Sequence, residues 1–150
     1  MLDTLFSVSG ALAMVGWAGL VLLPRNRVVV TVVARQIIPL LIAGIYAFLM
    51  ATHLGSAPEG SGFGSLAEVS ALFTVDGLLL AGWVHYLAFD LFVGSWEVED
   101  AQSHGVPHLA LIPCLAATFL AGPLGLALYL AVRTISGWLR GDEQPAAGTA

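Results

Sequence analysis

Residues 76–96, DGLLLAGWVHYLAFDLFVGSW, are apolar enough to lie within a membrane, yet they carry Asp76, His85 and Asp90. An ionisable side chain inside a membrane span is costly and by default marks a functional site. On a helix turning ~100° per residue, Asp76, Trp83 and Asp90 share one stripe, because each heptad drifts by only ~20°. Tyr86 sits at the edge of that stripe. His85 lies about 180° from Asp76, in line with Phe89, Phe92 and Trp96. One face is acidic and aromatic, and the other is a histidine followed by aromatics, so neighbours are expected on both sides. His85 and Asp90 are about 140° apart and are not expected to grip one small group from the same face.

The surrounding chain fixes the class. Of 150 residues, 58% are hydrophobic and 10% charged, against about 25% charged in a soluble domain. This is the composition of an all-α integral membrane protein. The hydropathy pattern predicts one domain, residues 1–140, folded as a four-transmembrane-helix bundle with both termini on the same side. The helices are expected at about 5–23, 33–53, 70–94 and 107–132, with 141–150 a disordered tail. Met1 to Leu23 reads as a retained helix, since no basic region precedes it and Asp3 is its only charge. The net charge of −5 argues against nucleic acid as a partner. The single cysteine, Cys114, excludes an intrachain disulfide. Arg25, Arg27 and Arg35 favour a cytoplasmic first loop.

Depth limits which polar residues can meet. Arg35 enters the second span, where Pro39 is expected to kink the helix, at the depth of Asp90, so an Arg35–Asp90 ion pair is expected. Asp76 lies at the opposite depth, with Thr52, His53 and Arg133, and about 21 Å from Asp90 along a helix; the two cannot share one ion. Glu97, Glu99, His104 and His108 gather imidazoles and carboxylates at one end. Pro107 disfavours helix at Val106, so His104 and His108 do not form a helical pair, and no metal or other cofactor is expected. Blander readings stand beside each of these. Asp90 with Arg35 would fix helix register, Asp76 would be solvated, His85 would be bonded within the bundle, and the aromatics would face lipid.

The run Trp83, His85, Asp90, Leu91, Phe92 resembles the pattern of the plant neoxanthin synthase family, known from abscisic-acid deficiency: small four-helix membrane proteins with bacterial relatives. His108, before the last span, and Pro123 and Gly125 within it also match. The likeness is good from about Val69 to Ile135, and the first half matches by hydropathy alone. Pro107 stands where the family tends to have arginine. The resemblance implies a bacterial-type relative in the inner (cytoplasmic) membrane that binds, and isomerises, a carotenoid or related isoprenoid. Converting an epoxide to an allene needs an acid at the epoxide oxygen and a base at the neighbouring polyene carbon. The resemblance gives these roles to His85 and Asp90. It gives Trp83, Tyr86, Phe89, Phe92 and Trp96 to ligand binding, and His108, Pro123 and Gly125 to structure; Arg35 and Asp76 are expected to be structural from their depth and pairing. Two other readings remain: a non-enzymatic small subunit packing in a homo-oligomer or a larger pigment–protein complex, and, ranked last, a proton-relay or transport element.

Overall fold

The computed structural model describes residues 1–141, apart from the Arg140 side chain. Residues 142–150, most of the expected tail, lie outside it. Among the described residues every regular element is helical, and four helices are long and apolar enough to cross a membrane.

Helix α1 spans Leu2–Leu22 and stops where Pro24 cannot continue it. Asn26 Oδ1 then accepts from the N–H groups of Val28 (3.1 Å) and Val29 (3.2 Å) and starts the second span. That span opens as a π-helical stretch, Val28–Ile37, in which Ile38 N–H reaches back to Val33 O. It continues as α2, Ile38–His53. Pro39 has no N–H, and in an α-helix its ring would meet the carbonyl four residues back. The widened π turns accommodate it where a kink was expected.

After a loop, α3 spans Leu66–Leu72. Ser65 Oγ caps it by accepting from Glu68 N–H at 3.2 Å, while the Glu68 carboxylate accepts from Gly64 N–H at 2.9 Å, a variant of the capping box. Helix α4 spans Asp76–Ser103, so it starts later than 70 and runs well past 94. Glu97, Glu99 and Asp100 therefore belong to the helix instead of an exit loop, because neighbouring elements supply partners to these carboxylates. It ends in a Schellman turn: Val106 N–H bonds Ala101 O (2.8 Å), Gly105 N–H bonds Gln102 O (3.3 Å), and Gly105 takes φ +62°, a conformation open to glycine.

Helix α5, His108–Gly141, is interrupted at Ala121 (φ −152°, ψ 44°) and Gly122 (φ 8°, ψ −80°). The chain reverses there. His108 Nε2 lies 2.9 Å from Val21 O, and Val106 bonds Ala101, so the first arm begins beside the C-terminal end of α4. Its far end lies beside Tyr86, whose hydroxyl donates to Phe119 O at 2.7 Å. The second arm comes back: Gly125 packs on the backbone of Thr118, Tyr129 bonds Asp100, and Arg133 Nε lies 3.1 Å from Asp100 Oδ2. A straight helix would put Arg133 about 37 Å from His108. The expectation of both termini on one side is thus corrected. Gly141 lies on the face of the first loop and Met1 on the opposite face. Arg133, expected near Asp76 and His53, sits with His104 and Asp100 for the same reason.

Helix α4 is the centre of the bundle and contacts α1, the π stretch, α2 and α5. With lipid outside there is no water to drive helices together, so close packing has to hold them. At the α1–α4 contact a Cβ on Gly16 would come 2.6 Å from Leu91, and one on Gly94 would come 2.6 Å from the Trp17 ring. Each helix seats a large side chain of the other on a glycine.

The reversal sorts the charges. Arg25 and Arg27 of the first loop, Arg35 and Arg133 lie towards one face. Asp3, Glu59, Glu68 and Asp76 lie towards the other. The positive-inside rule favours the arginine face as the cytoplasmic one. In a Cys114→Ala background, an impermeant maleimide should label cysteines placed at Ser103 and Gly137 from the cytoplasmic side, and one at Glu59 from the other. Labelling of Gly137→Cys together with Glu59→Cys would mean that α5 crosses the membrane. The hairpin also predicts that Gly125→Val destabilises the protein by about 1–3 kcal/mol in a thermal melt. Gly44→Ala, with open space around it, should be close to neutral.

Candidate functional site

Asp90 is fourteen residues into the twenty-eight of α4, near the middle of the span. Its carboxylate faces the break in α5. A Cβ on Gly122 would lie 2.6 Å from Asp90 Oδ1, so only glycine lets the hairpin tip approach the acid. Pro123 follows, in the first turn of the second arm, where a missing N–H costs nothing. A negative group near that helix start is favoured by the helix dipole. Tyr86 lies beside Asp90, with its hydroxyl on Phe119 O. One turn before the tip, Thr118 Oγ1 donates to Glu97 Oε1 at 2.9 Å. Glu97 is fully buried. Neither Asp90 Oδ2 nor Glu97 Oε2 has a hydrogen-bond partner among the described residues.

Arg35 does not pair with Asp90. Its Nε donates to Ser95 Oγ (3.0 Å), its Nη2 to Ser95 O (2.7 Å), and its Nη1 to the Glu99 carboxylate. The reason is rotational. Glu99 is nine residues from Asp90, about 180° around α4, and the π stretch packs on the Glu99 side. Depth alone suggested the wrong partner.

The other face of α4 is open. His85 stacks on Phe89 with ring centroids 4.5 Å apart, and lies 5.9 Å from Tyr46 of α2. The two rings border a cavity of about 250 Å³ whose walls are apolar, including Met50, Phe63, Leu72, Phe73 and Leu78. Phe89 and Phe92 are exposed on the same side. As expected, His85 and Asp90 face different ways. Trp96 does not extend this face, because it packs edge-on against Tyr129 of the second α5 arm at 5.6 Å.

Trp83 belongs to a third surface. It stacks on Phe6 (6.0 Å) and lies tilted against Tyr86 (5.4 Å), and with Asp3 and Asp76 it borders a cleft of about 490 Å³. The histidines and acids at the arginine face disperse. His108 meets Val21 O, Glu99 meets Arg35, and His104 meets Asp100 and Arg133. Among the described residues no three His, Cys, Asp or Glu side chains converge as a metal site.

Sequence reasoning weighed Glu97 only among imidazoles and carboxylates at one end of the bundle, and passed over Thr118, Tyr129 and Tyr46. A signal for Glu97 was present: it continues the heptad stripe Asp76, Trp83, Asp90 by one further step of seven. A double-mutant cycle tests the pairing that replaced the expected one. Arg35→Gln with Glu99→Gln should show a coupling of about 0.5–3 kcal/mol in thermal stability, and Arg35→Gln with Asp90→Asn should be additive within about 0.3–0.5 kcal/mol.

No curated protein and no solved structure matches the chain. A family model does, over residues 4–129, which takes in α1 to α4, the hairpin tip and Tyr129. The chain therefore belongs to the ABA DEFICIENT 4-like (ABA4-like) family.

Proposed function

We propose that the protein binds one ring end of a carotenoid or related isoprenoid in the cavity between α2 and α4, and isomerises it there. The observation that carries this is the cavity itself. It has mostly apolar walls, and His85 and Tyr46 are the residues with polar side-chain groups among those that line it. A concave apolar site with a few polar groups is the usual form of a small-molecule site. At about 250 Å³ it falls below the 300–1,000 Å³ of a site that encloses a whole drug-sized ligand. It suits one end of a long molecule whose remainder lies along Phe89 and Phe92 in the bilayer.

The chemistry follows from the family resemblance. As the epoxide C–O bond breaks, a proton passes to its oxygen, and another leaves the neighbouring polyene carbon. The C–H electron pair becomes the new double bond, with no net redox change. In this reading His85 takes the carbon-bound proton and Tyr46 donates towards the oxygen. Asp90, on the other side of α4, does not touch this ligand. The helical spans and the one-sided arginines favour an inner bacterial membrane for the same protein.

Protein purified in mild detergent should carry a polyene absorption and yield an extractable isoprenoid. His85→Phe keeps a ring of similar volume and removes the nitrogens. It should melt within a few degrees of wild type and lose about 10²–10⁴-fold in conversion, the usual contribution of a general acid or base. Unchanged conversion and pigment retention would make the histidine structural and refute the reading.

A further inference from the structure

A second feature lies on the opposite side of α4 from that cavity and does not depend on it. Glu97 has 0% exposure, and one of its carboxylate oxygens has no partner among the described residues. Seven residues earlier on the same stripe, Asp90 has one as well. Both face the α5 hairpin, Asp90 at its broken tip and Glu97 at Thr118. An ionised carboxylate with an oxygen left unpartnered in a low-dielectric interior costs several kcal/mol, and burial of this kind in membrane proteins marks proton and ion pathways. Broken helices near the bilayer midplane are a recurring setting for such sites.

The surroundings narrow the occupant. From α5, Thr118, Cys114 and Tyr129 face Glu97; from α4 itself, Asp90 does, with Tyr86 beside Asp90. From α1, Trp17 packs on Phe119 and brings no charge. The arginines nearest the bundle are committed elsewhere, Arg35 to Glu99 and Arg133 to Asp100. Among the described residues no basic side chain answers either acid. A hard cation takes about six or more oxygen ligands, and among the described residues no three His, Cys, Asp or Glu side chains converge as a metal site. We propose that Asp90 and Glu97 form a proton-binding site inside the bilayer, each carboxylate taking one proton on its unpartnered oxygen beneath the α5 hairpin. Each loading step is a carboxylate plus a proton giving a carboxylic acid, with nothing else consumed.

Infrared difference spectra of the intact protein in nanodiscs, taken on acidification, test this. A carboxylic acid without strong hydrogen bonds has its C=O stretch on the high-frequency side of the acid region, apart from hydrated surface acids. Wild type should show two such bands, each shifting in D2O. Glu97→Gln should lose one and Asp90→Asn the other, while Glu59→Gln, in the exposed loop, keeps both. A wild-type spectrum with acid C=O intensity only at the hydrated frequency overturns the proposal. So does survival of both bands in the doubly substituted protein. If either substituted protein fails to fold, the wild-type spectrum and its D2O shift alone decide between the two results. The readout does not involve a carotenoid, so it stands or falls separately from the cavity of His85.

Discussion

Inside a bilayer the backbone has to satisfy its own hydrogen bonds, and irregular backbone is tolerated only where protein covers it. At Ala121–Gly122 the chain abandons helical geometry and reverses near the middle of the span. What makes this possible is close cover. Tyr86 takes the Phe119 carbonyl, the Asp90 carboxylate lies against Gly122, and Gly125 lets the second arm pack on Thr118. The rest of the arrangement depends on that turn. It returns Tyr129 and Arg133 to Asp100, brings Thr118 to Glu97, and leaves the side of α4 bearing His85 and Phe89 free of a fourth crossing segment.

Helix α4 then serves as a partition. One face carries acids covered by α5, a second is locked to α1 by glycine contacts at Gly16 and Gly94, and a third is bonded to the second span through Arg35. The remaining strip is open to lipid and bears His85. A single helix can hold apart an imidazole on its open side and two carboxylates beneath α5 because successive residues point in directions about 100° apart. Arg35 contributes by reaching along α4 to Ser95 and Glu99, nearer the interface. Its charge is answered there with half-exposed Glu99, where desolvation costs less than at mid-membrane.

The sequence by itself determined the class and most of the helical rotation. Long apolar runs with few charges leave little alternative to membrane helices. The seven-residue spacing set Asp76, Trp83 and Asp90 apart from His85, since angular position on a helix is a local property that spacing encodes. The family was legible in one short run, Trp83 to Phe92. Tertiary structure decided the course of the last helix and the partners of the charges. Gly122, Pro123 and Gly125 are residues that weaken a helix, but whether a break bends or reverses a helix depends on what covers the exposed backbone, and Tyr86 and Asp90 supply that cover from another helix. Arg35 likewise had acids at compatible depths, and only the packing direction of the π stretch against α4 chose Glu99 over Asp90. Propensity and hydropathy are properties of one segment. Reversal and pairing are properties of two segments in contact.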